Sequence, residues 1–206
     1  MDLFPISPDQ NLLPFDGEVF YYPDFFGESL GMKFFELLKK EIQWKQEPIW
    51  IFGKKVMQPR LTALYGDPEI PYGYSGIQME ANPWTEKLQE IKERVEVQAG
   101  AHFTHVLLNY YRNGDDSMGW HRDNEKELGI NPVIASVSFG AEREFQMRHY
   151  KQKNIKVNVH LKDGSLLLMQ GSSQHHWEHQ LPKRKKISSG RINLTFRRII
   201  GGNKIC

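Results

Sequence analysis

Apolar residues recur along this chain with two different periods. Leu30, Phe34, Leu37, Leu38 and Ile42 within Ser29–Ile42 fall close to helical spacing, as do Trp84, Leu88, Ile91 and Val95 within Pro83–Val95. Both segments predict amphipathic helices. From His102 onward the pattern shortens to runs and alternations that suit strands. Strands are predicted over Phe103–Tyr111, Val133–Phe139, Glu144–Tyr150, Val157–Leu161, Ser165–Met169 and Arg191–Ile199. Lys162-Asp163-Gly164 between two of them reads as a hairpin turn. A short strand is also predicted at Val19–Tyr22, ending at Pro23. Two helices followed by closely spaced strands predict an α+β protein on a β-sandwich or barrel, and a double-stranded jelly roll would gather ligands from separated segments at one mouth.

The remaining stretches are less regular. Residues 1–17 are polar and contain prolines, which suggests an irregular N-terminal arm, and residues 48–76 are rich in Pro, Gly and aromatics, with short strand-like pieces between turns. Neither an internal repeat nor a low-complexity segment is present.

Composition narrows the class without choosing the chemistry. At 206 residues the chain fits one domain with a sizeable core, and 39% hydrophobic with 25% charged residues describes a globular protein. The 27 basic residues nearly match the 25 acidic ones, so net charge neither requires nor excludes a nucleic-acid partner. Cys206 is the only cysteine; an intrachain disulfide is excluded and a reducing compartment is expected, one that would also favour a ferrous ion. The N-terminal residues lack a secretory pattern, and apolar runs such as residues 165–169 are too short to span a bilayer, so a soluble intracellular chain is expected; with no long unmatched apolar surface apparent, a monomer is expected too.

Chemistry concentrates toward the C-terminal end. His121 and Asp123 are two apart, so on extended backbone both side chains point the same way. With one more histidine they would form a two-histidine, one-carboxylate face, the arrangement suited to non-haem Fe(II) with open positions. His175, His176 and His179 compete for the third place, and spacing does not choose among them. In Arg191-Ile-Asn-Leu-Thr-Phe-Arg197 the alternation aims Arg191, Asn193, Thr195 and Arg197 at one side and Ile192, Leu194 and Phe196 at a core. Two guanidiniums on one strand face suit a dicarboxylate ligand. Asn109 and Tyr111 share a face of the Phe103–Tyr111 strand and could add hydrogen bonds.

In order along the chain, Asn-x-Tyr, His-x-Asp, His-Trp-x-His-x-Leu-Pro and Arg-x-Asn-x-Thr-Phe-Arg resemble the motifs of AlkB-family Fe(II)/2-oxoglutarate dioxygenases, most closely the duplex-DNA-repairing branch of animal AlkB homologues. The resemblance runs from about Trp50 to Ile199. It implies a double-stranded β-helix core over residues 102–199, with N-terminal helices and a nucleotide-recognition lid over residues 48–80, all within a single dioxygenase domain. It implies Fe(II) held by His121, Asp123 and His179, and 2-oxoglutarate held by Asn109, Tyr111, Arg191, Asn193, Thr195 and Arg197, with O₂ as second cosubstrate.

The implied reaction is oxidative demethylation of N-alkylated bases in DNA, such as 1-methyladenine and 3-methylcytosine, releasing formaldehyde as 2-oxoglutarate becomes succinate. A base inside a duplex must be flipped out to react. By the same resemblance Phe52 would be a wedge in the finger that includes Gly53 and Lys54, Tyr72 and Tyr74 would lie where an aromatic stacks on the flipped base, and Arg60 would contact the nucleic acid. Lys183–Lys186 would form a basic loop for phosphates.

Two positions depart from the branch. Asn124, followed by Glu125, stands where an acid directly follows the metal aspartate, and Tyr150–Lys156 is shorter than the branch's basic hairpin. Single-stranded DNA or RNA is therefore the alternative substrate. A protein or small-molecule hydroxylase and a metal-stabilised binding module without turnover are the competing readings. The compartment implied is the cytoplasm, or the nucleus of a eukaryote.

Overall fold

The computed structural model describes residues 7, 9–51, 54–70, 72–74, 77–79 and 81–200, and for 49–51, 54–55, 72–74 and 77–79 the backbone alone. Six strands form the larger sheet: β1 (Glu18–Tyr22), β12 (Ser165–Gln170), β9 (Ile134–Gly140), β14 (Arg191–Arg197), β7 (His105–Tyr111) and β4 (Leu61–Gly66), in that spatial order, every neighbour antiparallel. A smaller sheet orders β11 (Lys156–Leu161), β10 (Arg143–His149), β13 (Trp177–Leu181) and β8 (Met118–His121), also antiparallel. Two hairpins stand apart from both sheets, β2 (Pro48–Ile51) with β3 (Lys54–Met57), and β5 (Tyr72–Tyr74) with β6 (Ile77–Met79). The helices are α1 (Glu28–Glu41), α2 (Glu86–Ala99) and the single turn α3 (Ser173–His176). Two facing antiparallel sheets with helices packed outside form the jelly roll that the strand pattern predicts.

The predicted helices form close to their expected limits. α2 begins at Glu86, not Pro83, because the Thr85 hydroxyl accepts the Leu88 N–H at 3.3 Å and so caps it. Its C-terminal end turns at Gly100, whose φ of 59° lies in the left-handed region. Phe34 and Leu38 of α1, with Leu88, Ile91 and Val95 of α2, cover the outer face of the larger sheet. There they meet Ile192, Leu194 and Phe196, each fully buried. Burial of side chains this size contributes roughly 1.5–3 kcal/mol apiece.

A second core joins the inner faces of the two sheets. Leu107, Ile134 and Leu167 come from the larger sheet, and Met147, Trp177 and Leu181 from the smaller. β14 is sandwiched between β9 and β7, so its polar residues are buried too, on the face opposite Ile192, Leu194 and Phe196. The jelly roll therefore encloses a polar strand face that an isolated sheet would leave wet.

Two expectations about boundaries change. β4 falls within the stretch expected to form the lid, yet it is an edge strand of the larger sheet, because Ala63, Leu64 and Tyr65 are buried and pair with β7. β1 at residues 18–22 completes that sheet at its other edge, so the barrel recruits strands from outside 102–199. His121 ends a strand, paired opposite His179. Residues 9–17 of the expected arm form no helix or strand but are anchored: the Asn11 side-chain oxygen accepts the N–H groups of Leu13 (3.1 Å) and Val19 (2.8 Å), and the Phe15 carbonyl accepts the Trp177 indole N–H at 3.0 Å.

Candidate active site

Between the sheets a cleft opens that is lined by His121, Asp123, His179, Asn109, Tyr111, Arg191, Asn193, Thr195 and Arg197. The residues that the resemblance implies for metal and cosubstrate all line this cleft. One ligand atom each of His121, Asp123 and His179 lies within 4.8 Å of the others. His176 is drawn elsewhere, its ring parallel to that of His149 with centroids 6.1 Å apart, while His175 is exposed. Geometry therefore groups His179, and neither neighbour, with His121 and Asp123.

Protonation suits the three to a cation. The His121 Nδ1–H donates to the Gly119 carbonyl at 2.9 Å, which leaves the Nε2 lone pair available. Burial lowers the His121 pKa and, with the neighbouring His121 ring, pushes His179 down to about 3, so both rings are neutral near pH 7. Burial alone would raise the Asp123 carboxyl, but Arg197 and the two histidines outweigh it and bring the carboxyl to about 2. One Arg197 Nη2 reaches both Asp123 oxygens at 2.9 Å. An anionic oxygen and two neutral imidazoles on one side of a cleft fit a divalent iron.

The cosubstrate side is a ladder of polar side chains across the larger sheet. Arg191 Nη2 donates to the Ser138 hydroxyl at 2.8 Å and its guanidinium lies over the Tyr111 ring, 5.4 Å from the centroid. Burial lowers the Arg191 pKa to about 10, still fully charged at neutral pH, and its Nε has no hydrogen-bond partner among the described residues. A buried cation with an unused donor is costly without an anion, so a carboxylate would complete it. Asn193 Nδ2 donates to the Ser136 hydroxyl (2.8 Å) and the Val137 carbonyl (3.0 Å), and the Thr195 hydroxyl donates to Asn193 Oδ1 at 3.0 Å.

Several supporting residues escaped the sequence reading. Ser136 and Ser138 alternate with apolar residues in the Val133–Phe139 run, a signal that could have placed them on the same inner face. Arg143 is fully buried and donates to the carbonyls of Asn113 (3.2 Å), Asp116 (3.0 Å) and Pro182 (2.8 Å), tying together the segments that flank β8 and β13. The Asp123 N–H donates to Gln174 Oε1 at 2.9 Å, a contact across 51 residues that no local pattern announces.

Phe52 and Gly53 lie outside the described residues; Lys54 starts β3, and Tyr72 and Tyr74 bound β5, with their side chains outside the description. Arg60 is buried, 5% exposed, and its Nε donates to Asn109 Oδ1 at 2.7 Å. Its guanidinium thus engages a cosubstrate-side amide, at the position where the resemblance implies a nucleic-acid contact. Asn124 is exposed, and the half-buried Glu125 has its pKa raised by burial and by the Asp123 charge. Lys183, Lys185 and Lys186 are exposed, whereas Arg184 pairs with Glu144 at 2.8 Å. That loop crosses Gly114 so closely that a Cβ there would lie 1.8 Å from the Arg184 carbonyl oxygen.

A second group, Asp16, His149 and His176, also brings ligand atoms within 4.8 Å of one another. Its chemistry differs. His149 Nδ1 accepts the Gln152 N–H at 3.0 Å, which places the proton of the neutral ring on Nε2, facing Asp16 at 3.4 Å. That atom is a donor to a carboxylate and offers no lone pair to a cation.

Comparison with known proteins identifies the family. Residues 18–197 match the 2OG-Fe(II) oxygenase superfamily. The chain is 38% identical to DNA oxidative demethylase ALKBH2 of Mus musculus, over 96% of this chain and 87% of that protein. It is 41% identical to alpha-ketoglutarate-dependent dioxygenase alkB homolog 3 of Homo sapiens, over 86% of this chain and 65% of that one. A solved structure, described as the structure of OsALKBH1, superposes with a TM-score of 0.63 at 18% identity, covering 87% of this chain and 97% of the other, and supports the fold. The chain belongs to the AlkB family of Fe(II)- and 2-oxoglutarate-dependent dioxygenases. Fe(II), 2-oxoglutarate and O₂ are accordingly its cofactor and cosubstrates.

Proposed function

We propose that this enzyme repairs alkylated DNA by oxidative demethylation of N-alkylated bases, 1-methyladenine and 3-methylcytosine among them, and that it acts as a monomer in the cytoplasm or, in a eukaryote, the nucleus. The observation that carries the reading is the single cleft that sets His121, Asp123 and His179 beside two buried arginines. Relatives 38% and 39% identical, named DNA oxidative demethylase ALKBH2, supply the substrate class. Among the described residues no helix is long and apolar enough to cross a membrane.

His121, Asp123 and His179 would hold the iron, which with 2-oxoglutarate and O₂ supplies the oxidation. The chain's own residues then position the partners. Arg191 would engage the distal carboxylate of 2-oxoglutarate, supported by Ser138 and Tyr111. Arg197 neutralises Asp123 and would share its charge with the carboxylate nearer the iron. Arg60 donates to the Asn109 amide oxygen, which would leave the Nδ2–H donors of Asn109 for the cosubstrate. The N-methyl carbon of the base gains one oxygen atom, its bond to nitrogen breaks, and formaldehyde leaves; the second oxygen atom goes to succinate as CO₂ is lost.

Residues 48–57 and 72–79 would present the base, with Phe52 as wedge, Tyr74 stacking on the flipped base, and Asn124 and Glu125 reading its edge. The connection from β10 to β11 favours a weak hold on a second strand. β10 ends at His149 and β11 starts at Lys156, so residues 150–155 make the whole turn. Single-stranded DNA or RNA is therefore the second reading. Oligonucleotides carrying 1-methyladenine or 3-methylcytosine, single- and double-stranded, DNA and RNA, incubated with Fe(II), 2-oxoglutarate and O₂ and followed by mass, test both. Loss of the methyl group from DNA is expected. Succinate formation with every methylated base intact would refute the demethylase reading.

A further inference from the structure

We propose that Gln174 is a positioning residue that fixes the iron-ligating pose of Asp123, so that the α3 turn acts as a clamp on the metal site. β8 ends at His121, so Asp123 lies beyond the strand that sets His121 opposite His179. Gln174 accepts its N–H, with Oε1 2.9 Å from the nitrogen, and is itself completely buried. Its Nε2 faces Met169 Sδ at 3.5 Å and the Ser173 hydroxyl oxygen at 3.4 Å, which orients the amide with its oxygen toward Asp123. The next residue repeats the grip: Arg122 Nη1 donates to the His175 carbonyl at 2.9 Å. Two consecutive residues beside the metal site are thus held by two consecutive residues of the turn that leads into β13, the strand carrying His179.

This restraint has a definite opponent. Arg197 Nη2 sits 2.9 Å from both Asp123 oxygens and draws the carboxylate toward itself. With the Asp123 backbone held by Gln174, the carboxylate stays within reach of both histidines while paired. With the backbone released, the pair can move as a unit away from His121 and His179. Outer partners that orient a metal ligand typically govern affinity by about 10–100-fold.

The inference rests on the assignment of His121, Asp123 and His179 as the metal ligands, and its test separates the two. Mn(II) binding to the protein without cosubstrate is measured by titration calorimetry and by the paramagnetic resonance signal of free Mn(II). Gln174→Met, Gln174→Glu and Asp123→Ala are compared with the wild type, all at a temperature where circular dichroism shows each folded. Gln174→Met keeps the volume but removes the acceptor, and should raise the Mn(II) Kd about 10–100-fold. Gln174→Glu keeps an oxygen acceptor and should stay within about threefold of wild type, while Asp123→Ala should lose binding. A lowered melting temperature with unchanged Mn(II) affinity in Gln174→Met would make the residue merely structural and overturn the inference. Equal weakening by Met and Glu would overturn it too, since the acceptor would then not be the cause. Wild-type affinity in Asp123→Ala would instead remove the ligand assignment on which the clamp depends.

Discussion

Arg143 offers a demanding test of how this site is held together. Its guanidinium is buried at 1% exposure and donates to three backbone carbonyls, those of Asn113, Asp116 and Pro182. The first two lie in the segment entering β8 and the third follows β13, so one side chain spans the approaches to both histidine-bearing strands. Arg143→Met keeps much of the volume but leaves three acceptors without their donor. Hydrogen bonds to a charged group contribute about 1.5–3 kcal/mol each. Against that stands the cost of burying the cation, whose pKa burial pushes down and whose removal returns part of the loss. A net destabilisation of about 3–5 kcal/mol remains, in line with breaking other buried charged networks. For a domain of this size each kcal/mol moves the melting temperature by about 2–4 °C, so Arg143→Met should melt about 6–20 °C below wild type. Arg143→Lys, which keeps the charge but cannot reach all three carbonyls, should fall between. Differential scanning calorimetry in EDTA measures the effect without metal linkage. A shift under 2 °C for Arg143→Met would refute the idea that this arginine ties the two strands.

Four further outcomes are expected. His121→Ala, Asp123→Ala and His179→Ala each abolish demethylation, whereas His176→Ala largely spares it; the reverse result for His176 and His179 would show the ligand set to be wrong. Arg60→Met, by freeing the Asn109 amide, should raise the anaerobic Kd for 2-oxoglutarate in the Fe(II) protein, read from its visible charge-transfer band, by about tenfold, the loss of one charge-assisted hydrogen bond; unchanged affinity would sever Arg60 from the cosubstrate. Phe52→Ala should slow repair of duplex DNA more than of single strands, and equal losses would undo the wedge. In metal-free protein, His179 has a folded pKa of about 3 against an unfolded value near 6.5. The unfolded chain therefore takes up the proton first, and stability falls as pH drops below about 6.5, by about 2 kcal/mol at pH 5. Denaturant melts of wild type and His179→Gln should show this slope and its loss; parallel pH profiles would refute it.

Some of the architecture could be read before any coordinates. Helical spacing located α1 and α2 because one face of each helix must meet the sheet, and that requirement stamps a period of three to four on the apolar positions. Alternation in β14 separated Ile192, Leu194 and Phe196 from Arg191, Asn193, Thr195 and Arg197 because successive side chains of a strand take opposite faces. β13 and β8 were not legible as strands. Trp177–Leu181 mixes aromatic, acidic and histidine residues that carry no alternation, and Met118–His121 follows a cluster of turn formers.

By itself, then, the sequence determined which side chains could do the chemistry, since His-x-Asp spacing and an alternating arginine strand are local properties of the backbone. Only the tertiary structure decided which distant groups meet. It set His179 opposite His121 through the β13–β8 register, turned Arg60 inward onto Asn109, and brought Gln174 to the Asp123 amide across 51 residues. Such contacts arise when two sheets close on a shared interior, and the short-range order of residues along the chain does not record which inner-face positions will touch.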